Sequence, residues 1–198
     1  MVPKNKIVIL FFHPLLHKSR VNSVLIKAVD KLEGVSCRHM YDLYPDYQID
    51  VEEEQKVLLQ NDIIIWQHPF YWYSSPSLLK EWLDLVLEHG FAFGKNGRAL
   101  EGKYVMSAIS TGGRRDIYGS EEKVKFSVRA LLAPFEQTAN LCRMHYLPPF
   151  VSHGTYLLNK EMIAKAAEDY ALIVKGLRDG TLPMEKLMRE EYINDLIS

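Results

Sequence analysis

KIVILFF, residues Lys6 to Phe12, is an unbroken apolar run, rich in β-branched side chains and too short for a helix. A central parallel strand covered on both faces reads this way. Downstream, a polar stretch from His13 to Ser19 precedes Arg20 to Leu32, where Val21, Val24, Leu25, Ala28, Val29 and Leu32 recur at helical spacing before Gly34. Asp62 to Gln67 (DIIIWQ) and Lys103 to Ile109 (KYVMSAI) repeat the buried-strand signature. Val35 to Met40 is a weaker strand, and Tyr146 to His153 a fifth despite Pro148-Pro149. Helices are expected over Val51 to Gln60, Ser77 to Leu87, Glu121 to Leu141 with a kink or restart at Pro134, and Lys160 to about Leu177. The alternation predicts an α/β chain with a doubly wound five-stranded parallel sheet, since parallel neighbours need right-handed crossovers that put helices on both faces. Gly180 to Pro183 is the one break, giving a domain over residues 1–180 and a short amphipathic tail over 181–198.

Composition narrows the function. At 198 residues, 47% hydrophobic and 25% charged, one domain suffices, burying about 70% of the surface of the unfolded chain. A formal charge of -1 supplies no basic field to gather phosphates, so nucleic acid is not an expected partner. Cys37 and Cys142 fit no C-x-x-C or metal-ligand spacing and read as buried thiols in a reducing compartment; no metal is expected. Met1 to Lys6 leads straight into the first strand without a signal-peptide core, which predicts a cytoplasmic protein.

In a doubly wound sheet, ligands bind beyond the carboxyl ends of the strands. Three loops therefore matter. His13 to Ser19 enters a helix whose first N–H groups suit an anion, with His13, His17, Lys18 and Arg20 concentrating positive charge; Ser19 as a plain helix cap is the simpler alternative. The loop has neither a Walker A glycine-lysine pair nor a G-x-G-x-x-G fingerprint. Pro69 to Pro76 carries four consecutive aromatics, Phe70, Tyr71, Trp72 and Tyr73, which need a partner surface: a flat ring such as an isoalloxazine, or another subunit. Ser110-Thr111-Gly112-Gly113 offers two residues without Cβ, either for close approach of a planar ligand or merely for a tight turn, with Tyr118 beyond.

Taken together, His13-Pro14 with Ser19 and Asn22, the run Trp66 to Tyr73 with Pro76 and Leu79 to Trp82, and Thr111-Gly112-Gly113 with Tyr118 resemble the NAD(P)H quinone dehydrogenase family over most of the chain. Leu43-Tyr44-Pro45-Asp46, His89-Gly90-Phe91-Ala92-Phe93-Gly94 and Leu147-Pro148-Pro149-Phe150 resemble its bacterial branch of glutathione-regulated potassium-efflux ancillary proteins and general-stress relatives. The resemblance implies a flavodoxin-like three-layer sandwich and a homodimer. It also implies a non-covalent flavin, FMN in preference to FAD, reduced by NAD(P)H and reoxidised by a quinone-like acceptor. The alternative it carries is a flavin-binding cytoplasmic subunit docked on a potassium efflux transporter, peripheral at the inner face of the membrane. Residue by residue, Ser19, Arg20, Val21 and Asn22 would hold the flavin phosphate with His13 beside it; Pro69, Phe70, Tyr71, Trp72 and Tyr73 would line the ring. Ser110, Thr111, Gly112 and Gly113 with Tyr118 would bind the pyrimidine edge, and Tyr118 is the one candidate for direct assistance. Relatives that use a tyrosine-histidine pair carry the histidine six residues after the tyrosine, where this chain has Val124.

Overall fold

The computed structural model describes residues 4–197. Six strands form one parallel sheet: β1 (Ile7–Phe11), β2 (Val35–His39), β3 (Ile63–Pro69), β4 (Tyr104–Ser110), β5 (His145–Tyr146) and β6 (Phe150–Ser152). The order is β2-β1-β3-β4-β5, and β6 also pairs with β4, farther along it. Among the described residues, eight α-helices cover the faces: α1 (Asn22–Val29), α2 (Met40–Leu43), α3 (Val51–Leu59), α4 (Ser77–Val86), α5 (Val128–Leu131), α6 (Ala133–Leu141), α7 (Lys160–Asp179) and α8 (Met184–Leu187).

The apolar run in β1 feeds two cores, because successive strand side chains point to opposite faces. Val8 and Leu10 join Ile64, Trp66, Val105 and Ile109 on the face covered by α3 to α6, with Trp82 and Phe135 as the largest helix contributions. Ile7, Ile9 and Phe11 join Ile65, Met106 and Ala108 on the other, under Leu25 and Val29 of α1 and Ile173 and Val174 of α7. Each Val, Leu, Ile, Phe or Met among them contributes about 1.5–3 kcal/mol on burial.

Several boundaries differ from expectation. The segment from Glu121 is not helical until Val128, where Ser127 Oγ accepts from Ala130 N at 3.1 Å. Before that the chain folds back, Gly119 N donating to Val124 O at 2.8 Å. Pro134 does restart the helix, in the first turn of α6. The fifth strand is two short pieces, since Leu147-Pro148-Pro149 interrupts the pairing with β4. α1 begins at Asn22 instead of Arg20 and ends at Val29. Cys37 is half-buried rather than buried, although burial and the neighbouring Asp30 push its pKa up to about 12; Cys142 is buried.

The motifs that marked the branch hold structure. Tyr44 donates its hydroxyl to Glu54 at 2.7 Å, and Trp82 Nε1 donates to the same carboxylate at 2.9 Å. Arg38 pairs with it as well, so one fully buried acid ties together β2, α3, α4 and the turn after α2. Gly94 takes φ +90°, and a Cβ there would lie 2.5 Å from His89 Nε2, whose ring stands edge-on to Phe93. The segment after α8 returns to the sheet: Ile193 N donates to Pro149 O at 3.1 Å, and the Asn194 side chain bonds both N and O of Val151. It thereby covers an edge of β6 that would otherwise stand open.

Candidate functional site

Strands β1, β3 and β4 are neighbours, so the three loops named from the sequence emerge side by side. They enclose a cleft of about 920 Å³, the upper range for a small-molecule site. Of the residues expected there, all line it except Thr111 and Gly113. Thr111 is turned inward, donating to Gly113 O at 2.8 Å, while Gly113 backs onto Ile117 and Tyr118.

Hydrogen bonds link the loops to one another. Asn22 is 2% exposed and donates from Nδ2 to Ser110 Oγ at 2.7 Å, joining the first loop to the third. Its Oδ1 is buried without a partner. Phe70 N donates to Ser110 O at 2.8 Å, Thr111 N to Ser152 O at 2.9 Å, and Thr155 N to Thr111 O at 3.0 Å. The last two bring in a fourth loop, beyond β6, whose Thr155 and Tyr156 also line the cleft. Sequence reasoning missed it, although the rule that ligands bind past strand carboxyl ends names it too; the double proline obscured where that strand stopped.

At the first loop, Ser19 Oγ accepts from Asn22 N at 3.0 Å, and the Arg20 guanidinium donates to Leu158 O at 2.7 Å. Val21 is buried beneath them. His13 does not add to the positive charge expected here: burial lowers its pKa, and Nδ1 accepts from Leu15 N at 3.2 Å. The neutral ring then carries its proton on Nε2. Lys18 and Arg20 remain as the cations facing the cleft.

The aromatic loop stands open. Trp72 is 93% exposed, and Trp72 and Tyr73 both hold left-handed backbone, at φ 50° and 60°. A bulky residue there stores about 1–3 kcal/mol of strain, which tends to persist at ligand-contacting positions. Tyr71 meets His13 edge-on at 6.4 Å, and Phe70 packs against Tyr118 at 6.4 Å. Burial raises the Tyr118 pKa, so the phenol keeps its proton at neutral pH. Neither Gly112 nor Gly113 has positive φ; a Cβ would meet the Tyr156 ring at 2.8 Å in one case and Ile117 at 2.5 Å in the other. Packing, not turn geometry, is what a side chain there would meet, and at Gly112 that neighbour is the edge of a Tyr156 ring that is 83% exposed and free to move aside.

Just below the cleft, His68 is fully buried, its ring facing Phe135, with Nδ1 2.9 Å from Pro69 O and Nε2 unpartnered. Burial pushes its pKa down to about 4. An unfolded histidine titrates near 6.5, so between these values the unfolded chain binds a proton that the folded one refuses. Stability is therefore full above pH 6.5 and falls toward pH 4, by on the order of 3 kcal/mol from this residue. Urea unfolding at pH 7.5 and 4.5 should show the loss, and His68→Leu should reduce the difference by the share that His68 contributes, with His153 and His13 supplying the rest. An unchanged difference in that variant would assign it elsewhere.

Among the described residues, no cluster of histidine, cysteine and acidic side chains could hold a metal ion, and no helix is long and apolar enough to cross a membrane. Residues 5–174 match the model of the family described as having the flavodoxin-like fold. The glutathione-regulated potassium-efflux system ancillary protein KefF of Klebsiella aerogenes is 43% identical over 164 residues, 83% of this chain and 92% of that protein. General stress protein 14 of Treponema denticola, solved in complex with FMN, superposes with a TM-score of 0.82 at 36% identity, covering 87% of this chain and 99% of the other. An NADPH-quinone reductase structure from P. pentosaceus gives 0.75 at 34% identity, over 85% and 96%. With the sheet order, the loop cluster and these matches in agreement, the chain belongs to the flavodoxin-like fold family.

Proposed function

We propose that this protein is an FMN-dependent NAD(P)H dehydrogenase that reduces a quinone-like acceptor. The observation that carries the reading is the convergence of four strand-end loops on one cleft that combines a helix start, a buried orphan amide oxygen and open aromatic faces. These features fit a flat heteroaromatic ring with an anionic tail. The N-terminus of α1, Ser19 and the side chains of Lys18 and Arg20 suit the phosphate. Asn22 Oδ1 needs a donor, which a ribityl hydroxyl supplies. Tyr71, Trp72 and Tyr73 suit the ring faces, and Ser110, Gly112 and the protonated Tyr118 hydroxyl suit its polar edge.

When bound, the flavin supplies the two-electron chemistry between nicotinamide and quinone. The chain's own residues bind, orient and shield. Tyr118 holds a proton on its hydroxyl and donates a hydrogen bond; His13 stays neutral beside the phosphate; Val124 leaves Tyr118 without the histidine partner found in some relatives. Resemblance to KefF at 43% identity favours a second role, as a cytoplasmic subunit docked on a potassium efflux transporter, and a homodimer remains part of the proposal. Capture by the cytoplasmic domain of such a transporter tests the docking.

The catalytic reading is tested by absorption spectroscopy. Protein titrated with FMN and then with NADPH or NADH under nitrogen should lose its flavin bands, and a quinone should restore them. Stoichiometric flavin that neither nucleotide bleaches would leave the docking role, and failure to bind flavin would end the flavoprotein reading.

A further inference from the structure

His153 lies just past β6, outside the lining of the cleft but against its back wall. Its ring packs between Tyr118, at 5.8 Å between centroids, and Tyr192, edge-on at 5.4 Å. Nδ1 is 3.2 Å from Thr111 Oγ1, and that hydroxyl directs its only proton to Gly113 O. A hydroxyl whose proton is committed can only accept, so the bond requires a proton on Nδ1. Nε2 is buried without a partner, where a bare lone pair is cheaper than an unsatisfied N–H. Both atoms select one species: neutral imidazole protonated on Nδ1.

We propose that His153 is a positioning residue, whose Nδ1–H fixes Thr111 and through it the Gly112–Gly113 turn and the Tyr118 phenol that receive the ligand ring. The ligand's identity rests on the flavin reading; the tautomer and the hold on Thr111 do not. The final segment of the chain keeps the ring dry. Tyr192 covers it, and Arg115, three residues before Tyr118, makes two bonds to Asp195 at 2.6 and 2.9 Å and lies 4.6 Å over the Tyr192 ring. The charged groups facing the imidazole are Arg115, which opposes its protonation, and Glu191 and Asp195, which favour it; the tyrosines 118 and 192 complete the surround. Burial prevails and holds the ring neutral down to about pH 4.

Two measurements test this. Ring nitrogen shifts of His153 in the flavin-free protein should report Nδ1–H from pH 8 to pH 5 without titrating; an Nε2–H tautomer, or a midpoint near 6.5, overturns the proposal. In the full chain, His153→Phe removes the donor, while His153→Asn keeps an N–H near the Nδ1 position. With both variants folded by thermal melt, His153→Phe should raise the FMN Kd about tenfold, the loss of about one hydrogen bond's worth of ordering, and His153→Asn should recover most of it. Wild-type affinity in His153→Phe overturns the role. If the unaltered protein binds no flavin, the function reading fails, and the Tyr118 ring resonances then decide: they should move in His153→Phe and return in His153→Asn, and resonances unmoved in both overturn it.

Discussion

Ser19→Asp is expected to weaken FMN binding by at least about a hundredfold, about 2.7 kcal/mol, and to leave riboflavin binding unchanged. Aspartate caps a helix as well as serine does, so it can take over the acceptor role that Ser19 Oγ plays toward Asn22 N. The fold is therefore preserved while a negative charge enters the space assigned to the phosphate, where like charges repel by several kcal/mol. Riboflavin has the same ring and no phosphate. Flavin fluorescence quenching at fixed ionic strength would measure both affinities. Equal losses for the two ligands would move the phosphate away from this loop.

A second large effect lies away from the cleft. Glu54→Ala should destabilise the fold by about 3–5 kcal/mol, because it strands a half-buried guanidinium, an indole N–H and a phenol. For a chain of this size the Tm should drop by about 10 °C. The adjacent Glu53 is exposed, and Glu53→Ala should stay within about 0.5 kcal/mol. Calorimetry of both variants separates a buried hub from general loss of helix charge; similar Tm values would remove Glu54 from that role.

These two residues mark what a sequence can and cannot disclose. The apolar runs of β1, β3 and β4 are legible because strands buried on both faces have no polar positions, and their order then names the loops. Ser19, Asn22 and the aromatics follow from that placement. Glu54 is different: it sits in the acidic run Glu52-Glu53-Glu54, and its burial depends on Arg38, Tyr44 and Trp82 from three other parts of the chain. No local period encodes such a meeting. His153 is hidden for the same reason, since Thr111 and Tyr118 reach it from the loop after β4 and Tyr192 from the end of the chain. The late start of α5 at Val128 reflects a local contest instead, in which the fold-back around Gly119 and Val124 claims backbone groups that helix propensity would have used.

The bonds between the four loops have a consequence for motion. Phe70 N, Thr111 N, Gly154 N and Thr155 N tie the second, third and fourth loops to one another or to the strand end beside them, so none of these three can lift without breaking a bond held by its neighbour, and the first is joined to the third through the Asn22 side chain. Deuterium should enter these four amides at similar rates, through a single cooperative opening of the rim rather than by independent fraying. A mouth built in this way does not close over its guest; it admits what already fits, and discrimination rests on shape set before encounter.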